Sequence, residues 1–332
     1  MVINHRSTAE LLRLLRTLRR QQPEAELVVH HDPTRTPVDS NRVERETGAH
    51  VIIAPRQVKW GSFELTAAHW RMLDWASEAT DCNWFVLLSG QDYPVQPLYL
   101  LEEKLAKTTA NAYVDAFPCA AAGPDDRRDF YLRYFYQYFW WLDSEALRKV
   151  PAPLRPLATR LRDGVARRVS AREGRLYFYY MVDGMGTITG WRARNAPYSD
   201  NFPLWKGSNW ITTDRRATEA LQRYRADHPA YVAHCRRTLL SDESATQTVL
   251  MNDASLEVEI ELLHCIKWQP PSAHPLVLTS ADYDYMVGSG KPFARKFDSG
   301  VDPEILDRLD DMLEQASAGL PTAVTPQGSN YG

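Results

Sequence analysis

Apolar positions along the first third of the chain fall into two patterns, helical stripes and short continuous runs. Ser7-Thr8-Ala9-Glu10 has the form of a capping box. Leu11, Leu12, Leu14, Leu15 and Leu18 follow at helical spacing, and then the run Leu27-Val28-Val29. This predicts a helix leading into a strand. Ahead of it stands only Val2-Ile3-Asn4, read as the tail of a first strand in a βαβ unit, one that the chain start would cut short. Val51-Ile52-Ile53-Ala54 predicts a further strand, Phe63 to Glu78 an amphipathic helix entered through Trp60-Gly61-Ser62, and Trp84-Phe85-Val86-Leu87-Leu88 another strand. Strands alternating with helices over residues 1–120 imply a mostly parallel α/β sheet flanked by helices on both faces.

After Val114-Asp115-Ala116-Phe117 the rhythm breaks. A charged turn at Asp125, Asp126, Arg127 and Arg128 is expected, then an aromatic run from Phe130 to Trp141. Leu154, Leu157, Leu161, Val165 and Val169 mark one face of a helix, and Arg155, Arg160, Arg162, Arg167 and Arg168 decorate the rest. Such a helix suits either an anionic lipid surface or packing on its own domain. Beyond it the pattern predicts a strand at Trp210-Ile211-Thr212-Thr213, a helix from Asp214 to Arg225 and another from near Ser241. A strand over Ile260 to Trp268 and a last helix opened by Asp302-Pro303 follow, with a frayed tail from Ser317.

Composition narrows the function classes. Lys plus Arg number 39 against 42 Asp plus Glu, a net charge of -3, which offers nothing to a polyanion and excludes nucleic acid as the default partner. Cys82, Cys119, Cys235 and Cys265 form no CxxC or Cys/His cluster, so a disulfide framework or structural metal is not expected. No apolar window approaches the ~18 residues of a membrane span, and a cytoplasmic protein, at most peripheral to a membrane, is expected.

Several segments carry candidate chemistry. Leu87-Leu88-Ser89-Gly90-Gln91-Asp92-Tyr93-Pro94 sets small, turn-forming and acidic residues after a buried strand, where open α/β sheets bind ligands. Asp92 there suits a sugar or base, or an Asx turn before proline. His30-His31-Asp32-Pro33 also follows a strand. Adjacent histidines on an extended chain point to opposite sides and cannot both hold one ion, so a site-lining loop is the better reading. The one D-x-D spacing, Asp282-Tyr283-Asp284, follows Thr279-Ser280 as the acidic first turn of a short helix. Trp205-Lys206-Gly207-Ser208-Asn209-Trp210 combines aromatics, glycine and polar groups in the manner of carbohydrate-binding surfaces, although both tryptophans suit a core equally. Ser241-Asp242-Glu243-Ser244 places Glu243 in a first helical turn, where an ionised carboxylate serves as a cap or as a general base. In Lys291-Pro292-Phe293-Ala294-Arg295-Lys296-Phe297-Asp298, two anchored phenylalanines would hold Arg295 or Lys296 ready for a diphosphate; the alternative is a surface pair with Asp298.

In this order Val29 to Asp32, Trp60 to Ser62, Phe85 to Pro94, Lys206 to Trp210, Ser241 to Leu250 and Pro292 to Asp298 resemble the core 2/I-branching β-1,6-N-acetylglucosaminyltransferase family, which includes peptide O-xylosyltransferases. The resemblance implies a GT-A-like fold in a single large domain over residues 1–316: a nucleotide-binding half (1–120), a helical and aromatic insertion (121–180) and an acceptor and catalytic half (181–316), with a flexible tail at 317–332. It implies a UDP-sugar donor, with GlcNAc the expected sugar, transfer to a hydroxyl of a glycan or small molecule, inversion, and no divalent metal or other cofactor. Glu243 takes the general-base role and Lys296 the leaving diphosphate. Arg295, Asp92, Asp32 and Gln91 are the further donor-side candidates; Trp205, Lys206, Gly207, Ser208, Asn209, Trp210 and Asp242 are the substrate-side ones. Animal members place a second cation on the diphosphate where this chain reads Ser272-Ala273-His274-Pro275, so His274, Arg295 or Lys291 substitutes or the contact is missing. Few cysteines and no apolar anchor fit a bacterial enzyme acting on an envelope polysaccharide precursor or small metabolite. The alternatives are a xylosyl or glucuronosyl transferase of the same family, a non-catalytic carbohydrate-binding protein on a decayed transferase fold, and a metal-dependent sugar hydrolase with two opposed carboxylates.

Overall fold

The computed structural model describes residues 1–139, 149–170, 176–180, 187–269 and 274–318. The end of the aromatic run (Trp140, Trp141), Ser272-Ala273 and the tail from residue 319 lie outside the described residues. The chain folds as two compact units. The first gathers Met1–Thr8, Glu26–Gly90 and Thr109–Leu263; the second gathers Ala9–Ala25, Gln91–Thr108 and His264–Gly332.

The first unit is organised by strands that begin with the shortest apolar segment of the sequence. Val2–Asn4 is β1, buried throughout and paired in parallel with β2 (Val28–His31) on one side and β5 (Leu88–Ser89) on the other. The intervening α1 (Thr8–Gln21) belongs to the second unit from Ala9 onward. β3 (His50–Ile53) pairs in parallel outside β2. Four further strands join the other side: β4 (Trp84–Val86) runs antiparallel to β11 (Trp205–Asp214), β11 is antiparallel to β7 (Ala112–Pro118), and β7 is parallel to β12 (Val258–Ile260). Between β4 and β5, Leu87 N donates to Ile211 O at 3.2 Å and Leu88 N to Met1 O at 2.8 Å. One extended segment thus passes from one ladder to the other, giving the order β3-β2-β1-β5/β4-β11-β7-β12 with β11 alone reversed. This is the mostly parallel α/β sheet that the alternation predicts.

Helices cover it with the apolar faces their spacing defines. α3 (Phe63–Ala79) buries Trp70, Leu73 and Ala76 with Ala217 and Leu221 of α7 (Arg215–Asp227), Tyr231 and Cys235 of α8 (Pro229–Cys235), and Val249 and Leu250 of α9 (Ala245–Asn252). Its Ala68 and Met72 pack on Ile3, Val28 and Leu87. The stretch after β7 holds α5 (Pro124–Tyr134), an antiparallel sheet of β8 (Tyr136–Phe139), β10 (Thr187–Arg192) and β9 (Leu176–Tyr180), and α6 (Arg155–Ser170).

The second unit has a small sheet, with β14 (Phe293–Arg295) parallel to β13 (His264–Ile266) and antiparallel to β6 (Asp92–Pro94). Its helices are α1, α4 (Leu98–Lys107), α10 (Tyr283–Gly288) and α11 (Glu304–Ala318). Asp302 Oδ1 accepts from Ile305 N at 3.1 Å, and Pro303 immediately precedes α11. Ala318 ends α11, so the last helix runs into the stretch expected to fray.

Four expectations change. The charged residues 125–128 form the first turns of α5 rather than a turn, because Gly123-Pro124 opens a helix and Asp125 and Asp126 suit its positive end. The segment from Trp205 is strand, not a loop ahead of one. Ile260 to Trp268 divides into β12 and β13, which lie in different sheets. The helix expected from Ser241 begins at Ala245, and Ser241–Glu243 form a 3-10 turn before it. Among elements that apolar periodicity passed over, α2 (Ser40–Thr47) buries only Val43 and Thr47 and is defined by its ends: Asp39 accepts from Arg42 N, and Gly48 takes the left-handed C-cap position at φ 68°.

Candidate active site

In the first unit, helix α9 fixes the start of β11. Thr248 Oγ1 donates to Trp205 O and accepts from Trp205 N, both at 3.1 Å, and Gln247 Nε2 donates to Ser208 O at 2.6 Å and to Asp242 O at 3.0 Å. Between Gly207 and Ile211 the strand advances four residues while β7 advances two, from Ala116 to Val114, so Ser208 to Trp210 bulge out of register. Gly207 makes this possible, since any Cβ there would collide with the carbonyl oxygen of Asp115. Beside the bulge stands the turn carrying Asp242 and Glu243. Leu240 N donates to Gly61 O at 2.9 Å, and Ser241 Oγ shares a 2.8 Å hydrogen bond with Thr66 Oγ1 of α3. Trp60-Gly61-Ser62 therefore anchors the turn. Leu240 is held at φ 50°, a left-handed conformation that a branched side chain adopts only under constraint.

Every residue from Ser241 to Leu250 is buried except Glu243, whose side chain is 26% exposed. Two cations meet its Oε2: Lys206 Nζ at 3.1 Å and Arg133 Nη1 at 3.3 Å. Each is itself positioned. Arg133 also pairs with Asp129 Oδ2 at 2.6 Å, one helical turn earlier on α5, and Lys206 Nζ lies 5.8 Å from the Phe117 ring centre and 5.4 Å from that of Phe130. Because Glu243 precedes α9, these cations take over the electrostatic role that a helix start was expected to play. Next to it Asp242 is buried, and that burial, with the Glu243 charge second, pushes its carboxyl up to about 7. Five buried polar atoms around the bulge and turn find no hydrogen-bond partner among the described residues: Trp205 Nε1, Ser208 Oγ, Asp242 Oδ1, Ser244 Oγ and Gln247 Oε1. Such atoms are costly unless something completes them. Trp205 and Trp210 are half-buried and each leans on an apolar cluster, and Asn209 is half-buried in the bulge.

The carboxyl ends of β1, β2 and β5 form a second feature of this unit. Connections leave β1 in opposite directions to β2 and β5, which is the switch point where α/β sheets open a crevice. Asn4 Nδ2 donates to His31 Nδ1 at 2.9 Å, which assigns the ring proton to Nε2 and its 2.8 Å bond to Thr36 O. Asp32 accepts from Thr34 N, Thr34 Oγ1 and Val58 N at 2.7 to 2.9 Å. Burial would raise its carboxyl, but the bonds from Thr34 and Val58 hold it below the ordinary range.

In the second unit, Phe293 and Phe297 are buried and hold the cation-bearing strand as expected. Arg295 Nη1 lies 3.3 Å from Asp92 Oδ1, and His264 Nε2 lies 3.5 Å from Asp92 Oδ2. Asp92 is fully buried between them and ties β6, β13 and β14 together. Gln91 O accepts from Phe297 N at 2.9 Å, and Gln91 Nε2 donates to Phe297 O at 3.3 Å. The Lys296 backbone is clamped by Leu278 N at 2.9 Å, and its side chain is half-buried. Asp282 closes a capping box with Thr279 and pairs with Lys267 Nζ at 2.6 Å, which accounts for the D-x-D spacing by helix-end electrostatics. Among the described residues, no group of three or more His, Cys, Asp or Glu is arranged to hold a metal.

Residues 1–130 match the family described as core-2/I-branching enzyme. The match covers the first 130 of the chain's 332 residues. Three curated relatives from Arabidopsis thaliana agree: the beta-glucuronosyltransferases GlcAT14A, 34% identical over 42% of this chain and 31% of its own length; GlcAT14B, 33% over 42% and 32%; and GlcAT14C, 37% over 45% and 40%. The matches thus span about a third of the length of these relatives. A crystal structure of galactosyltransferase LgtC with donor and acceptor sugar analogs is 11% identical, with a TM-score of 0.29 over 97% of each chain, too low to bear on fold or function.

The core-2/I-branching match contains Asn4, Asp32, Gly61, Thr66 and Asp92, whereas Arg133, Lys206, Glu243 and Lys296 lie beyond it. Sequence reading singled out Lys206, Asp242 and Glu243, and the structure brings these together. It missed Arg133, Gln247 and Thr248. The signal for Arg133 was its i,i+4 relation to Asp129, visible only once α5 is read as a helix.

Proposed function

We propose that the protein is an inverting, metal-independent glycosyltransferase that moves a sugar from a UDP-sugar to a hydroxyl acceptor, with Glu243 as general base. The observation that carries this reading is the exposure of Glu243 in an otherwise buried run, with two cations on one of its carboxylate oxygens. Both meet Oε2, and among the described residues Oε1 makes no hydrogen bond or ion pair, so it is the oxygen assigned to the acceptor proton. The acceptor hydroxyl gives its proton to Oε1 as its oxygen attacks the anomeric carbon, and the bond to the diphosphate breaks on the opposite face. The departing UDP carries the growing negative charge, which Lys296 is assigned to offset on the strength of the family resemblance. The unfilled groups Ser208 Oγ, Asp242 Oδ1 and Gln247 Oε1 suit hydroxyls of a sugar.

The expected sugar is GlcNAc. The three relatives are named for glucuronosyl transfer, and that supports glucuronic acid as the second reading. Among the described residues no helix is long and apolar enough to cross a membrane.

Thermal shift against UDP, UDP-GlcNAc, UDP-xylose, UDP-glucose and UDP-glucuronic acid, each with EDTA and with manganese, tests donor and metal together. Stabilisation by UDP that ignores metal is expected, and the largest shift ranks the sugar. Glu243→Gln should keep that shift and lose turnover by about 10²- to 10⁴-fold; retained turnover would remove Glu243 from the base role. Lys296→Ala should weaken both turnover and the UDP shift. Stabilisation by oligosaccharides and by no nucleotide would identify a carbohydrate-binding protein instead.

A further inference from the structure

Helix α6 takes no part in the chemistry proposed above. Leu154, just before it, and Leu157 and Leu161 within it are 53%, 57% and 62% exposed. Leucines at three successive turns left in water forgo the burial that drives folding, and a stripe of this kind marks a contact surface. At 3.6 residues per turn, Leu157 and Leu161 share one face, Arg160 flanks it, and the exposed Arg168 returns to the same face two turns beyond Leu161. Between Leu154 and Val169 the sequence holds five arginines and one aspartate, in a chain whose net charge is -3. This segment therefore departs in sign from the chain as a whole.

An apolar stripe bordered by long cations fits one geometry well: a helix lying in a bilayer interface, its leucines at the acyl boundary and its guanidinium groups reaching back to phosphates. We propose that α6 seats the protein on the surface of an anionic lipid bilayer. Leu154, Leu157 and Leu161 enter the interface, and Arg160 and Arg168 contact lipid phosphates. The inference does not depend on the identity of donor, acceptor or base.

Flotation of the full chain with vesicles of phosphatidylcholine alone, and with phosphatidylglycerol added, tests it. Binding is expected to the mixed vesicles only and to fall as salt is raised. Arg160→Gln should weaken it roughly five-fold, and the double change Leu157→Glu, Leu161→Glu should abolish it. Leu157→Trp keeps the helix apolar and should add quenching by brominated lipid over the wild-type signal. No binding by the wild-type chain, equal binding to both vesicle types, or unchanged binding by the double variant overturns the proposal. A dimer seen by light scattering that Leu157→Glu dissociates would assign the face to a second copy of the chain and overturn it equally.

Discussion

Asp242 and Glu243 are neighbours in sequence with opposite circumstances. Glu243 reaches solvent between two cations, whereas Asp242 is buried with one oxygen unfilled. A carboxyl raised to about 7 holds its proton in the folded state where the unfolded chain has lost it. Its contribution therefore favours folding at low pH and is lost as pH rises from the unfolded value, about 4, towards 7. Asp242→Asn should be more stable relative to wild type at pH 8 than at pH 4, read from paired urea titrations. If Asp242 ionises beside the base during turnover, the wild-type pH–rate profile should bend near 7 and the variant's should not. At this scale the reach of sequence was uneven. The residue types of Glu243 and Lys206 stood out by resemblance, whereas Arg133 was one arginine among many, because its local partner Asp129 shows only once α5 is read as a helix and its contact with Glu243 is long-range. Asp32 and Asp92 were legible as acidic residues after strands. That Val58 N completes the one beside the local Thr34 groups, and that Arg295 pairs with the other, is a matter of long-range contacts.

Elements were most legible where one apolar face is continuous. α1, α3 and the strands of the parallel sheet follow from their stripes and runs. α2 and α5 did not, since charged residues dominate them and their ends carry the signal. Trp205 to Trp210 eluded pattern reading because a bulge breaks the alternation of inward and outward side chains. That bulge makes a sharp prediction. Gly207→Ala drives a methyl into the Asp115 carbonyl and should cost about 2–3 kcal/mol, measured by urea unfolding. It should also lower turnover more than a remote substitution of equal stability cost, because Lys206 is adjacent and faces Glu243.

The molecule as a whole is two units threaded by one chain, and neither is a continuous stretch of sequence. That division was not legible from periodicity, which reports neighbours along the chain and not which stretches gather. Within the second unit, Asp310 is the convergence point: it receives Arg13 at 2.8 Å, Thr17 at 2.8 Å, Arg20 at 3.1 Å and the Tyr93 hydroxyl at 2.8 Å. Asp310→Ala removes the acceptor that these four groups share, leaving Arg13 to Asp307, Arg20 to Glu314 and the Thr17 and Tyr93 hydroxyls to each other, and should cost about 1–3 kcal/mol. Hydrogen exchange should show α1 and α11 losing protection together, while β7 keeps its protection. The same convergence sets an order on the ribosome. α1 is translated well before Asp310, the carboxylate that completes its polar face. Until then its leucines and arginines wait in the nascent chain, so a stop codon ahead of α11 should expose α1 to proteases and chaperones although it removes nothing from the N-terminal sequence.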